Sequence, residues 1–222
     1  MDLSADLAAV ICRPGGDPGV RCLALLHGAT CIGRFDAVES LHGLAAELGI
    51  EPMRLQETAL QVVAYGGFPR AIAGLALWAD VRGGDAPDGA TGSLSEGAAE
   101  DQAAAGRAVW DAVYAHNGGD VIDSLEHLAP GFSGWVLEAA YGRILARPGL
   151  SLEERELLAV AALTLMALPA PLGSHARGAL RNGSKPETVM DILDCCRVLA
   201  DASATPVLDQ ALDRLSRNVY RP

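Results

Sequence analysis

The clearest pattern of apolar and polar residues lies in the second half of the chain, where it predicts a buried helix. A capping box begins at Ser151, with Ser151 as the N-cap and Glu154 three residues on. The helix that follows, through Met166, is apolar on nearly every side, which is typical of a helix enclosed by others. Pro169 and Pro171 predict its end.

A second helix start is predicted at Ser184, where Ser-Lys-Pro-Glu again has the form of a capping box with Pro186 in the first turn. Gly183 suits the end of the preceding helix. The first half of the chain has a similar arrangement, because Gly49 and Pro52 precede Gly183 and Pro186 by 134 residues. We interpret this as a diverged internal duplication.

A small, polar, turn-rich stretch separates the two halves. Residues 83–93 show no apolar periodicity, and the acidic, Ala-rich stretch after them predicts a mobile segment or a weak helix. The sequence therefore predicts a shorter N-terminal repeat over residues 1–82, a flexible linker over 83–105 and a full C-terminal domain over 106–222.

The composition narrows the fold class. Hydrophobic residues make up 50% of the chain but aromatic residues only 5%. The core must therefore be built from Ala, Leu and Val, and the two strong helix formers among them favour an all-α fold.

The charge balance narrows the class of partner. Lysine and arginine total 17 and aspartate and glutamate 28, a net charge of −11, whereas nucleic-acid binding needs a basic face. The same acidity argues against docking on anionic membranes. No apolar run reaches the roughly 20 residues of a membrane span, and the first residues lack a basic signal-peptide region. We expect a cytoplasmic protein.

The cysteines predict free thiols. Their number is odd and no C-x-x-C occurs, as expected in a reducing compartment. The five are Cys12, Cys22, Cys31, Cys195 and Cys196.

Three motifs in the C-terminal part resemble the carboxymuconolactone decarboxylase family. Residues 147–158 (RPGLSLEERELL) are similar to its RPGL and Arg-Glu signature, and residues 175–183 (HARGALRNG) to its H-x-R-x-A-L-x-N-G helix. Residues 138–142 (EAAYG) resemble the helix before RPGL. The similarity extends over about 106–214. Residues 63–71 (VAYGGFPRA) resemble the family's Y-x-G-x-P-x-A element in a shorter first copy.

This resemblance implies a fold and a reaction. The fold would be an all-α helical bundle of the carboxymuconolactone decarboxylase and alkylhydroperoxidase D type, tandem duplicated. The reaction would be that of a decarboxylase-like lyase without metal or organic cofactor, acting on a small carboxylated lactone or related cyclic acid. The expected partners are that small acid and further copies of the chain, as a dimer, trimer or hexamer.

Decarboxylation places negative charge on carbon and a neighbouring carbonyl, so it calls for a cation and a proton donor. The resemblance makes His175 the candidate donor, Arg155 the cation and Glu138 the carboxylate that acts as base or orients His175. Each has a structural alternative: a histidine bonded at a helix interface, an arginine paired with a neighbouring glutamate, and a solvated helix residue. Glu156, nineteen residues before His175, has the spacing of the acidic residue in the peroxidase branch.

The chain departs from the family pattern in several places. The positions of the peroxidase C-x-x-C are Leu168 and Pro171, so that thiol mechanism is not expected. We expect the N-terminal part to lack the RPGL and Arg-Glu elements, and the C-terminal part lacks Y-x-G-x-P. One hypothesis is a composite pocket in which the copies complement each other. The competing hypothesis is a fold kept after its activity was lost or changed.

The resemblance between the two copies also leads to predictions for residues in the first copy. His42 is one residue out of register with His175 at the offset of 134, so we expect it to point elsewhere. Tyr65 and Phe68 either line a pocket or fill the core. The alternatives to a lyase are peroxidase-type activity through a non-standard cysteine and a non-catalytic ligand-binding or assembly role.

Overall fold

The computed structural model describes residues 2–83 and 99–217. The first half contains five helices: α1 (Leu3–Ile11), α2 (Pro18–Ile32), α3 (Phe35–Glu47), α4 (Pro52–Tyr65) and α5 (Gly67–Arg82). The second half begins with α6 (Ala99–Tyr114), α7 (Gly118–Leu128), α8 (Phe132–Val136) and a π-helical segment (Leu137–Leu145). It continues with α9 (Leu152–Leu165), α10 (Pro169–Arg181), α11 (Pro186–Cys195) and α12 (Ala204–Ser216).

The described residues form helices and turns without any strand, so the predicted all-α fold is confirmed. Residues 84–98 of the predicted linker lie outside the described residues, and residues 99–105 are the first part of α6. None of the described helices is long and apolar enough to cross a lipid bilayer.

The predicted capping boxes have different outcomes. At α9 the box is confirmed, since the Ser151 hydroxyl accepts from the Glu154 amide and the Glu154 carboxylate accepts from the Ser151 amide. At α11 the prediction is wrong. Lys185 is the N-cap residue there, and the Ser184 hydroxyl instead donates to the Glu153 carboxylate at 2.8 Å. The Ser184 hydroxyl bonds a charged acceptor on the neighbouring helix α9 and therefore does not cap α11.

The helix bounds recur at the offset of 134 residues. The π segment spans the positions of α1 moved by this offset, and α10 spans those of α3. The bounds of α9 and α12 agree with those of α2 and α5 to within three residues, while α11 and the short turn after it, Cys196–Val198, cover the positions of α4. At this offset, the positions that would correspond to α6 and α7 lie before residue 1, so the comparison does not include them.

Both halves contribute to one hydrophobic core. Helices α2 and α9 pack against each other at its centre, and Leu23, Leu25, Leu157 and Leu158 are buried in the same cluster. Helix α9 is buried from Arg155 to Leu165, as its apolar sequence predicts. Burial of this kind on every side is the main stabilising term for such a helix.

A smaller aromatic cluster joins α6 to the π segment and lies against α10. It contains Trp110, Tyr114 and Tyr141. The two helices approach closely because Gly142 has no side chain: a Cβ placed there would be 2.1 Å from the Gln102 carbonyl oxygen. The glycine of the EAAYG motif therefore sets the position of the tyrosine before it.

Candidate active site

The centre of the candidate site is a buried pair formed by His175 on α10 and Glu156 on α9. Nδ1 of His175 lies 3.0 Å from Oε2 of Glu156, and the exposed fractions are 5% and 0%. A carboxylate bonded to Nδ1 makes that nitrogen the donor of the hydrogen bond. Nε2 is then the nitrogen that can exchange a proton with another molecule.

The close packing of α9 against α10 depends on Gly178. A Cβ at this position would lie 2.2 Å from Oε2 of Glu156, so any larger residue would displace the carboxylate. The second oxygen, Oε1, is buried and has no hydrogen-bond partner in the part of the chain that the structure describes. An open acceptor in a buried carboxylate is costly unless another group meets it, so Oε1 is a candidate contact point for a bound molecule.

Aromatic rings from two other helices surround the imidazole. The Tyr65 ring from α4 lies edge-on to His175 with centroids 5.8 Å apart, and the Tyr114 ring from α6 lies at 6.3 Å. The Tyr141 hydroxyl donates to the Tyr114 hydroxyl at 3.0 Å, which leaves the Tyr114 proton available for another acceptor. The site is therefore built from both halves of the chain.

Electrostatics keep these tyrosines protonated. Burial, followed by the negative charge of Glu156, raises the pKa of Tyr65 well above its usual 10. Burial also raises the pKa of Tyr114, although the Tyr141 hydrogen bond and the charge of Arg177 oppose that shift. Both hydroxyls are hydrogen-bond donors at neutral pH.

A second histidine lies behind Tyr65. His27 on α2 is fully buried, its ring is 5.4 Å from that of Tyr65, and its Nδ1 donates to the Leu158 carbonyl at 2.9 Å. Burial lowers the pKa of His27 to about 4, although backbone hydrogen bonds to Leu158 and Gln61 oppose that shift, so the ring is neutral at pH 7. The Cys31 thiol lies 3.9 Å from Nε2 of His27.

The two groups predicted to accompany His175 bind elsewhere. Arg155 is 1% exposed; it pairs with Glu57 at 3.0 Å, bonds Gln61 at 3.2 Å and donates to the Arg147 carbonyl at 2.7 Å. These are buried contacts between α4, α9 and the RPGL turn. Arg155 is therefore not a cation that faces a substrate. It is also not a surface residue paired with a neighbouring glutamate, which was the structural alternative.

Glu138 also lies apart from the pair. Its carboxylate accepts from Arg143 at 2.9 Å, and its side chain is about one-third exposed. The geometry therefore corrects the expectation that Glu138 orients His175, because Glu156 holds that imidazole. His42 is buried, and Nδ1 has no hydrogen-bond partner among the described residues. Of the two N-terminal aromatic residues, Tyr65 contacts His175, whereas Phe68 is 69% exposed.

Comparison with family models matches residues 132–215 to the carboxymuconolactone decarboxylase family. This segment is similar to that family, and the match covers less than half of the chain. It runs from α8 through the π segment to α12, and it contains both His175 and Glu156. A comparison with curated proteins gives no significant match.

The carboxymuconolactone decarboxylase signature has a structural role in this chain. The RPGL turn brings the Arg147 side chain onto Glu57 at 2.9 Å and its carbonyl onto Arg155. Gly149 adopts φ +94, and a Cβ there would meet the Glu57 side chain at 2.9 Å, so the turn needs glycine. The signature thus forms the turn that holds α4 and α9 together.

The N-terminal half carries a counterpart of this cluster, although its motif is incomplete. Residues 13–15 read RPG, as do residues 147–149 at the offset of 134, but Gly16 stands at the position of Leu150. Arg21, at the position of Arg155, is 1% exposed, pairs with Asp191 at 2.7 Å and donates to the Arg13 carbonyl at 2.7 Å. What the first half lacks is the following glutamate, because Cys22 stands there.

A cavity of about 480 Å³ lies away from the pair, next to the starts of α2 and α9. Its charged lining is acidic, including Asp17, Glu153, Glu154 and Asp191. Asp191 and Glu154 are paired with arginines, and neither His175 nor Glu156 lines the cavity, so it is not part of the candidate site. Within the described residues, no group of three or more His, Cys, Asp and Glu side chains has the arrangement of a metal site.

Proposed function

We propose that the chain is a cofactor-independent lyase that decarboxylates a small carboxylated lactone or related cyclic acid at the His175–Glu156 pair. The observation that carries the proposal is the buried hydrogen bond between these residues inside the family segment. A carboxylate and an imidazole in this arrangement form a general acid that can deliver a proton to carbon. Arg155 and Glu138 have no part in the proposed chemistry.

In the proposed reaction, the bond between the ring carbon and the carboxylate carbon breaks and CO₂ leaves. The electron pair passes into the adjacent lactone carbonyl, which gives an enolate. His175, in its protonated form, then transfers the Nε2 proton to the ring carbon, and Glu156 stabilises the imidazolium until that transfer. His175 regains a proton from water after the product leaves.

This mechanism defines the substrate class. The carboxylate must be attached next to the carbonyl, or conjugated with it, because the electrons need an acceptor. The reactive probe is therefore α-carboxy-γ-butyrolactone. Its isomer β-carboxy-γ-butyrolactone has the same size and charge but cannot delocalise the electron pair, so it should bind without reacting.

The test is turnover of a panel of carboxylated lactones, followed as released ¹³CO₂ and by NMR of the product. His175→Ala is expected to lower turnover at least about 100-fold while the circular dichroism spectrum is retained. Glu156→Gln keeps the size of the side chain and is expected to lose activity through its missing charge. His127→Ala on the exposed end of α7 is the matched control and should keep the wild-type rate.

Two outcomes would contradict the proposal. Undiminished turnover in His175→Ala would remove the residue from the chemistry. If wild-type protein turns over none of the panel, carboxylated lactones are not its substrates. If His175→Ala then still binds β-carboxy-γ-butyrolactone, the chain is better described as a non-catalytic binding protein.

A peroxidase-type activity through a non-standard cysteine has one supporting observation, the contact between Cys31 and His27 near Tyr65. Against it, burial raises the pKa of the Cys31 thiol to about 12, so the nucleophilic thiolate is scarce at neutral pH. Hydroperoxide consumption that disappears in Cys31→Ser but survives His175→Ala would favour this reading over the lyase.

A further inference from the structure

The two halves of the chain share one set of polar side chains. At the offset of 134 residues, the buried Arg21 corresponds to Arg155, and its partner Asp191 corresponds to Glu57. Each arginine lies near the start of a central helix and pairs with a carboxylate from the other half. Because this arginine–carboxylate pair occurs in both halves, the packing of the halves explains it. It therefore gives no indication of a function.

A second set of side chains occurs in one half of the pattern only. The counterpart of His175 is Leu41, and the counterpart of Glu156 is Cys22. These two are neighbours as well, since the Cys22 thiol donates to the Leu41 carbonyl at 3.6 Å. The corresponding location in the other half is therefore apolar, and of these two locations only the one with His175 and Glu156 carries an acid–base pair.

Tyr65 differs between the two halves in the same way as His175 and Glu156. Its counterpart is Leu199, which is 4% exposed and belongs to the apolar core. Tyrosine, histidine and glutamate thus occur together at one location, and leucine, leucine and cysteine occur together at the other. A tyrosine that only filled space would have no reason to follow the acid–base pair.

The placement of Tyr65 is built into α4. Glu57, Gln61 and Tyr65 are spaced four residues apart and lie along one face of the helix. Glu57 pairs with Arg155, while Gln61 donates to the Arg155 carbonyl at 2.8 Å and accepts from its guanidinium at 3.2 Å. These bonds fix α4 on α9, and the next turn of α4 brings the Tyr65 ring to His175.

We propose that Tyr65 is a further catalytic residue of this centre, whose hydroxyl donates a hydrogen bond to the lactone carbonyl oxygen as negative charge develops there. Glu57 and Gln61 are its positioning residues. This inference rests on the proposed function and adds the group that stabilises the enolate. Because the Tyr65 hydroxyl stays protonated at neutral pH, it is a donor throughout the reaction.

The first experiment compares Tyr65→Phe with Thr164→Val on α-carboxy-γ-butyrolactone. Tyr65→Phe is expected to lower kcat about 100-fold with a much smaller change in KM, because the lost bond is strongest in the transition state. Thr164→Val removes a buried hydroxyl that bonds the Val160 carbonyl of its own helix, and should stay within about threefold of wild type. Equal losses in both variants would overturn the inference.

Gln61→Leu tests the positioning role. It removes both bonds to Arg155 and is expected to lower kcat about tenfold per folded molecule, with KM unchanged. A purely structural role would lower the unfolding midpoint and leave kcat of the folded fraction at the wild-type value.

A binding measurement separates failure of this inference from failure of the proposed function. Calorimetry with the unreactive β-carboxy-γ-butyrolactone should show about tenfold weaker binding to Tyr65→Phe than to wild type, and no change in Thr164→Val. If His175→Ala is inactive while Tyr65→Phe binds and reacts like wild type, the Tyr65 role is wrong and the lyase stands. If His175→Ala is fully active, the lyase fails and the Tyr65 role fails with it.

Discussion

Glu57 on α4 and Arg155 on α9 form an ion pair of 3.0 Å in which neither side chain is more than 1% exposed. The same carboxylate also binds Arg147 at 2.9 Å, so one negative charge serves two guanidinium groups in the interior. Removal of one member of a buried pair leaves the others without compensation, which costs more than the pair itself contributes.

Glu57→Gln is therefore expected to lower the free energy of unfolding by about 3 kcal/mol or more. The matched control is Asp191→Asn, at the corresponding position of the other half, where the carboxylate is 20% exposed and water can solvate Arg13 after the change. It should cost less than Glu57→Gln in urea unfolding at pH 7. A larger loss in Asp191→Asn would contradict the assignment of Glu57 as the more critical charge.

The crossing of α6 and the π segment gives a prediction about Gly142. Gly142→Ala would place a Cβ 2.1 Å from a main-chain oxygen, so the helices must separate, at a cost of about 2–3 kcal/mol. Gly134→Ala on α8 meets no atom within 4 Å and should be neutral or stabilising by about 0.5–1 kcal/mol. Thermal denaturation of the two variants checks this, and similar midpoints would show that the crossing tolerates a methyl group.

His27 makes stability depend on pH. Its pKa is about 4 in the folded chain and 6.5 for the free side chain, so the unfolded state binds the additional proton. Stability contributed by the neutral ring is complete above pH 6.5 and is lost as the pH falls toward 4, by up to about 3 kcal/mol.

The measurement compares wild type with His27→Asn, which keeps a donor near the Leu158 carbonyl. Urea unfolding at pH 8 gives the packing cost of the variant, because the wild-type ring is neutral there. Between pH 7 and pH 4.5 the wild type should lose more stability than His27→Asn. Parallel curves would mean that His27 does not titrate differently in the folded and unfolded states.

The thiols give a prediction that needs no substrate. Cys12 is exposed, while the other four cysteines are buried, and burial raises the pKa of Cys22 to about 12 and that of Cys195 to about 11. One thiol per chain should react rapidly with Ellman's reagent in the native protein, and five after denaturation. Rapid reaction of a second thiol that Cys31→Ser removes would support the peroxidase reading.

The sequence predicts local features of the fold better than contacts between helices. The capping box at Ser151 was predictable because both of its bonds lie within one turn, whereas Ser184 has the same pattern and bonds Glu153 on another helix. Whether Ser184 caps α11 or bonds Glu153 depends on the position of α9 in the fold. The residues next to Ser184 in the sequence do not contain that information.

The same limit applies to the site. His175 was predicted from its motif, and the spacing of nineteen residues was the available signal for Glu156. The resemblance predicts Glu138 because it matches a family carboxylate, but its side chain bonds Arg143. Tyr65 comes from a helix more than a hundred positions earlier, and only the packing of α4 on α9 brings its ring to the imidazole.

The contact between α4 and α9 should not weaken when the protein is diluted. Because Glu57 and Arg155 belong to the same polypeptide, the contact between the halves is unimolecular and has the high effective concentration of a tethered interaction. Its strength does not vary with the amount of protein, unlike a contact between separate subunits.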